Sequence, residues 1–154
     1  MRTLVPPSRA ARVLANLHII PIFLFTLIAF AVSINDSPAF WVGVFLVLAA
    51  VHLFFAVRIA RLGVDVDGDE LVVRNIYMTH RVIRARVASI GIGDLPHFPG
   101  KRALYLDLGN EAQVFLFGTS TGKRSWRSGR PLMTPTEQAA ARDVLVAVIN
   151  AGAP

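Results

Sequence analysis

Two long uncharged stretches occur near the beginning of the chain, and shorter alternating stretches follow them. No charged residue occurs from Val13 to Asn35 or from Ser37 to Val57, which are stretches of 23 and 21 residues. Helices of these lengths are about 34 and 32 Å long, enough to cross a bilayer core of about 30 Å. The pattern therefore predicts a transmembrane helical hairpin at 13–61, with helices at about 13–34 and 38–60.

Basic residues flank this hairpin, and its connecting loop contains no Lys or Arg. The positive-inside rule then predicts a cytoplasmic tail at 1–12 and a cytoplasmic domain at 62–154. A competing interpretation is a cleaved signal peptide, since AFA at 29–31 resembles a small-x-small cleavage site. The domain is cytoplasmic in either case. The flanking basic residues are Arg2, Arg9, Arg12, Arg58 and Arg61.

After the hairpin, apolar and polar residues alternate with period two in short segments, as in strands with one buried face. Six such segments, separated by turn formers, predict an antiparallel β-barrel or sandwich. The segments are GVDVD, ELVVRNI, HRVIRA, RVASIGI, RALYLDL and AQVFLFG.

The period then changes to that of a helix, at about 135–150. Thr134 at the N-cap, Pro135 at the first helical position and Glu137 three residues after the cap form a predicted capping box. One face must be buried, and the open end of the barrel is the expected place. The residues predicted on that face are Ala141, Val144, Leu145 and Val148.

The segments GVDVDGDELVVRN (63–75) and THRVIRARVASIGIG (79–93) resemble the opening strands of small bacterial, actinobacterial-type pleckstrin-homology (PH) proteins. Those proteins carry two transmembrane helices ahead of the domain. Fourteen arginines against two lysines fit a GC-rich genome. The resemblance implies a membrane-anchored α+β protein: a multi-pass protein of the bacterial inner membrane, with a PH-like barrel capped by a C-terminal helix in the cytoplasm.

Four carboxylates lie between Asp65 and Glu70, which raises the question of a metal site. An EF-hand loop needs Gly at position 6 and Glu at position 12. Counted from Asp65, those positions hold Glu70 and Ile76, whereas Gly68 suits a short hairpin turn. The resemblance also places this loop where other PH domains hold phosphoinositides with basic residues. An acidic loop repels phosphate, so phosphoinositide binding is not expected.

Other catalytic or cofactor chemistry is weakly represented. The absence of cysteine removes disulfides, thiolate catalysis and zinc–thiolate sites. GTSTG at 118–122 matches G-x-S-x-G, but no helix follows it and no histidine follows Ser120, so we interpret it as a loop after the last strand. The part from Leu62 onward has eleven basic and nine acidic residues, too small an excess for nucleic-acid binding. We therefore expect no enzyme, no metal and no cofactor.

Two histidines lie inside the predicted spans. His18 and His52 are about 15 and 13 residues from the outer ends of their helices, which predicts a similar depth. Polar residues are costly in a bilayer and often functional. A bis-histidine haem or metal site is one interpretation, but we favour an intramembrane polar pair or contact with headgroups.

The densest basic stretch of the soluble part is KRSWRSGR at 123–130. Near an anionic leaflet each basic side chain contributes about 1 kcal/mol, and tryptophan suits the interface. The alternative is a solvated loop whose tryptophan packs on the barrel. The candidate membrane- or partner-binding residues are Lys123, Arg124, Trp126, Arg127 and Arg130.

These observations predict a membrane-tethered cytoplasmic binding or adaptor module, integral to the lipid bilayer, with a protein partner and without catalytic activity. One alternative is an accessory subunit whose hairpin packs in a larger membrane complex, for which Gly43, Ala49 and Ala50 would permit close packing. Another is a domain that contacts anionic lipid through 123–130. A membrane-bound enzyme or haem protein ranks last, because no complete site is present.

Overall fold

The structure is a computed structural model that describes residues 2–33, 39–109, 112–122 and 131–151. The helices are α1 (Arg9–Leu17), α2 (Ile19–Ser33), α3 (Ala39–Ala60) and α4 (Pro135–Ala151). The strands are β1 (Arg2–Val5), β2 (Gly63–Asp67), β3 (Glu70–Arg74), β4 (Thr79–Ile83), β5 (Ser89–Asp94), β6 (Lys101–Asp107) and β7 (Gln113–Gly122).

Two apolar helical segments, Arg9–Ser33 and Ala39–Ala60, are long and apolar enough to cross a membrane. Helices α2 and α3 pack side by side, and most of their large side chains point outward and are exposed. Ala29 and Ala49 are buried, because small side chains let two helices approach closely. The rings of Phe25 and Phe45 stack between the helices, with centroids 6.4 Å apart.

The first apolar segment is not the single helix predicted at 13–34. It begins at Arg9 and is interrupted at His18, where α1 ends and α2 begins. Pro21 is the reason, since a proline has no N–H to donate to the carbonyl four residues earlier, that of Leu17, and its ring crowds that carbonyl. The chain therefore bends at His18.

The strands form two antiparallel sheets, ordered β1-β2-β3-β4 and β5-β6-β7. All six strands predicted from the alternation are present. The predicted barrel is not closed, because no ladder joins the two sheets within the described residues. One cause lies between β4 and β5, where a 3-10 turn at Arg84–Arg86 replaces the continuous extended chain that a shared ladder would need.

The seventh strand, β1, lies in the segment that the sequence analysis treats as a tail. It pairs antiparallel with β2, with Arg2 opposite Val66 and Val5 opposite Val64. Val5 is 3% exposed and belongs to the main core. The helical hairpin is therefore inserted between two neighbouring strands of one sheet.

Helix α4 closes the main core against β1 and the second sheet. Its capping box is present: the Glu137 carboxylate accepts from the Thr134 backbone N–H at 2.7 Å, and the Thr134 hydroxyl accepts from the Glu137 N–H at 3.2 Å. The Thr134 N–H and the Thr134 hydroxyl both donate to the Glu137 carboxylate, and these two hydrogen bonds hold the pKa of Glu137 below its usual value. Ala141 and Leu145 are buried as predicted, but Val144 is exposed. The buried face is rotated toward Gln138, which occupies the place expected for an apolar residue.

Gln138 is buried because its amide completes the backbone hydrogen bonding of β7. Its Nε2 donates to the Thr119 carbonyl at 2.8 Å. A polar side chain satisfied in this way can replace an apolar one in a core.

A second apolar cluster joins the hairpin to the sheets. Leu62 is fully buried directly after α3, which leaves no flexible linker between helix and β2. The hairpin and the domain are consequently joined by side-chain packing as well as by the continuous backbone. The buried members of this cluster are Ala11, Ala15, Ile59, Leu62 and Leu132.

Candidate functional site

The structure brings His18 and His52 together. Their Nδ1 atoms are 3.0 Å apart, the separation of a hydrogen bond in which one imidazole donates and the other accepts. Phe25 lies 5.6 Å from the His52 ring and Phe55 lies 6.2 Å from the His18 ring, centroid to centroid. The two rings are thus paired within an aromatic environment between α3 and the α1–α2 bend.

This pair has too few ligands for a structural or catalytic metal site. Zinc sites use three or four protein ligands, and the pair supplies two nitrogens. Among the residues that the structure describes, no group of three or more His, Cys, Asp or Glu side chains is close enough to hold a metal ion. The geometry is that of an interhelical hydrogen bond.

The acidic window turns a hairpin. Gly68 has φ of 61°, and Asp67 pairs with Glu70 across the two-residue turn. Each carboxylate of the window contacts an arginine of β3, β4 or the 3-10 turn. The pairs are Asp65–Arg74 at 2.8 Å, Asp67–Arg81 at 3.7 Å, Glu70–Arg81 at 2.9 Å and Asp69–Arg84 at 2.9 Å.

These ion pairs make the window part of the sheet surface and not an open ligand site. The hydrogen bond that Arg81 donates to the Glu70 carboxylate raises the pKa of the Arg81 guanidinium. Exposed pairs of this kind contribute little to stability, about 0–1 kcal/mol each. Asp65 differs, because its side chain is only 8% exposed beside Arg74.

The GTSTG segment at 118–122 is the second half of β7, and not the loop that the sequence analysis expects. Ser120 is 3% exposed, and its carbonyl accepts hydrogen bonds from the backbone N–H groups of Leu132 and Met133, both at 2.9 Å. Ser120 lies where the ladder between β6 and β7 is interrupted, between the pairs Arg102–Thr121 and Leu104–Leu116. A nucleophile elbow requires an exposed serine, and this one is buried.

The basic stretch 123–130, with the candidates Lys123, Arg124, Trp126, Arg127 and Arg130, lies outside the described residues. Lys101, at the beginning of β6, pairs with Gly122, the last residue of β7. Lys101 is 2% exposed, and burial lowers the pKa of its side-chain amine.

The sequence analysis misses one polar junction, formed by Arg58 and Asn75. The Arg58 guanidinium donates to the carbonyls of Ile76 and Asn75, both at 2.7 Å. The Asn75 side chain in turn donates to the Phe115 carbonyl at 2.7 Å and accepts from the Phe117 N–H at 2.9 Å. Arg58 therefore ties the end of α3 to the β3–β4 turn, and Asn75 ties that turn to β7.

A sequence signal for this junction exists. The predicted strand ELVVRNI ends at Ile76, and its turn-forming Asn75 is followed closely by two large apolar residues, Tyr77 and Met78. Turns usually hold small polar residues. Tyr77 and Met78 are therefore unusual residues for a turn.

Comparison of the chain with family models, with curated proteins and with solved structures finds no match in any of the three.

Proposed function

We propose that this chain is a membrane-tethered cytoplasmic binding module with a PH-like domain, without catalytic activity, which binds a protein partner along the edge of β5. The observation that carries the proposal is that one edge of β5 has no neighbouring strand among the described residues. In the described part of the chain β5 pairs with β6 alone. Such an edge offers backbone N–H and C=O groups to an extended segment of another chain.

The composition of β5 supports this use of its edge. Natural sheets protect edges with charged residues or proline, and the one charged residue of Ser89–Asp94 is Asp94, at its end. Gly91 and Gly93 lie under the Tyr105 ring of β6, which a Cβ at Gly91 would overlap, so glycine is required there for this packing. One edge strand of the other sheet, β4, carries Arg81 in two ion pairs.

The pairing of β1 with β2 supports the proposal that both ends of the hairpin lie on the same side of the membrane. Two strands can pair only if they lie in the same compartment. A hairpin that connects β1 to β2 and spans the membrane must therefore cross the membrane twice. The flanking arginines favour the cytoplasmic side of a bacterial inner membrane. Cleavage after residue 31 would remove β1 from the core, which speaks against the signal-peptide interpretation.

The two sheets of four and three strands followed by one C-terminal helix support the PH-like assignment. The acidic β2–β3 turn, whose carboxylates already contact arginines, supports a protein partner over a phosphoinositide.

Two exposed isoleucines, each on an edge strand of a different sheet, provide a matched test. Ile92 on β5 is 38% exposed and Ile83 on β4 is 45% exposed. We expect Ile92→Lys to abolish copurification of a stoichiometric partner from native membranes, because a lysine blocks strand addition. Ile83→Lys should leave the partner bound. Equal retention by both variants would refute a β5 docking edge.

The accessory-subunit alternative is favoured by one observation, the exposure of Gly43 and Ala50 on α3, whereas Ala49 is used inside the hairpin. Exchange of residues 19–54 for an unrelated apolar hairpin separates the two functions. This exchange keeps β1, α1 and the Arg58 junction in place. A partner lost in the exchanged chain, but kept by Ile92→Lys, would assign binding to the hairpin.

A further inference from the structure

We infer that the β3–β4 turn, residues 75–78, inserts Tyr77 and Met78 into the headgroup boundary of the membrane that the hairpin spans. This inference rests on the proposed function, because it requires the hairpin to lie in a bilayer. It adds a second attachment of the domain to the lipid, separate from the basic stretch 123–130.

Tyr77 and Met78 are the most exposed large apolar side chains outside the helices in the described residues. Their exposed fractions are 68% and 63%, well above those of Ile83 and Ile92. A soluble surface tolerates isolated apolar residues, but two adjacent ones at the tip of a turn form a protruding apolar contact.

The turn lies beside the apolar surface of α3. The Tyr77 ring meets the Phe55 ring edge-on, with centroids 6.3 Å apart. Phe55 precedes Arg58 by about one helical turn, or about 4.5 Å. Since Arg58 is the first charged residue after the uncharged stretch of α3, Tyr77 is at the level where hydrocarbon meets headgroups. Tyrosine is enriched at that level because its ring is apolar and its hydroxyl is polar.

Four polar groups of the turn backbone have partners within the protein. The Asn75 N–H donates to the Met78 carbonyl at 2.9 Å, and the carbonyls of Asn75 and Ile76 accept from Arg58. Backbone groups are costly in hydrocarbon unless their hydrogen bonds are satisfied within the protein. Arg58 thus fixes the turn against α3 and lowers the cost of placing its tip at the headgroup boundary.

Tryptophan fluorescence in full-length protein tests the inference. In a Trp41→Phe/Trp126→Phe background, single tryptophans are introduced as Tyr77→Trp, Met78→Trp, Phe54→Trp and Ile83→Trp. Each protein is reconstituted into phosphatidylcholine vesicles whose lipids carry bromine near the top of the acyl chain. Phe54 is an exposed residue of α3, and Ile83 is an exposed residue at the opposite end of β4.

We expect bromolipid to quench the tryptophans at 54, 77 and 78, and to leave the one at 83 as bright as in unbrominated lipid. Quenching at 54 without quenching at 77 and 78 overturns the inference and leaves the hairpin in the bilayer. No quenching at 54 overturns the spanning hairpin itself. Tryptophans at 77 and 78 that are shielded from both bromolipid and aqueous acrylamide indicate a protein contact, which also overturns the inference.

Discussion

Single polar side chains connect the parts of this molecule. Asn75 links the β3–β4 turn to β7, Gln138 links α4 to β7, and Arg58 links α3 to the same turn. The side chain of each forms hydrogen bonds with backbone groups, and it supplies a partner that the regular helices and strands do not provide there. His18 and His52 form the corresponding connection inside the hairpin.

The histidine pair predicts a non-additive effect of substitution. His52→Phe leaves the His18 Nδ1 without its partner in an apolar helix contact, and it should lower the free energy of unfolding by about 1–2 kcal/mol. The double variant His18→Phe/His52→Phe should recover part of that loss, because no polar group is then left unpaired. Denaturant unfolding in detergent micelles compares the native chain with both single variants, His18→Phe and His52→Phe, and with the double variant.

The control for this prediction is the chelator EDTA, which should leave the stability of the native chain unchanged. If EDTA lowered the free energy of unfolding of the native chain as much as His52→Phe does, the result would contradict the hydrogen-bond interpretation and indicate a bound metal. Strictly additive losses would show that the two rings do not interact.

At the level of elements, β1 is the strand on which the arrangement of helices and sheets depends. It is four residues long, ends at Val5 directly before Pro6, and belongs to the core through Val5. It passes so close to the start of β2 that a Cβ on Gly63 would overlap the Val5 carbonyl oxygen. Close packing of two backbones at this point requires glycine.

Gly63→Ala should therefore loosen β1 and lower the free energy of unfolding by about 1–3 kcal/mol. Gly43→Ala in α3 is the matched control, since a Cβ there meets no atom within 4 Å and alanine favours a helix. Hydrogen exchange at the amides of Arg2–Val5 should accelerate in Gly63→Ala alone. Unchanged exchange in that variant would show that β1 does not depend on this contact.

At the scale of the whole molecule, the insertion of the hairpin between β1 and β2 makes the hairpin and the domain one structural unit. The hairpin enters and leaves through the same sheet, and the cluster around Leu62 packs against the end of the hairpin that adjoins this sheet. Movements of the helices and of the domain are coupled by this packing, in contrast to a domain on a flexible linker.

This arrangement predicts which positions are accessible from each side of the membrane. The chain has no cysteine, so single cysteines need no other changes. Ser37→Cys should react with an impermeant maleimide in intact cells. Thr3→Cys and Ile83→Cys should react only after the cells are broken. Reaction of Thr3→Cys and Ile83→Cys from opposite sides would be incompatible with the pairing of β1 and β2.

Local patterns in the sequence determined most of the elements. Uncharged length determined the two apolar segments, period-two alternation determined β2 to β7, and the Thr134 capping box determined where α4 begins. Span length, alternation and helix capping each depend on residues that are close together in the chain, so they can be recognised in the sequence alone. The similar depth of His18 and His52 followed from counting along two antiparallel helices, whereas the contact between their rings is a result of the structure.

Tertiary structure decided the features that join distant segments. Residues 2–5 are too short and too ordinary to predict a strand, and they become one only because β2 lies beside them with an open edge and a core position for Val5. The rotation of α4, which exposes Val144 and buries Gln138, depends on the Thr119 carbonyl of a strand nineteen residues away. The Arg58 junction likewise depends on hydrogen bonds across seventeen and eighteen residues. No local period records such contacts, because their free energy arises only when both partners are already in place.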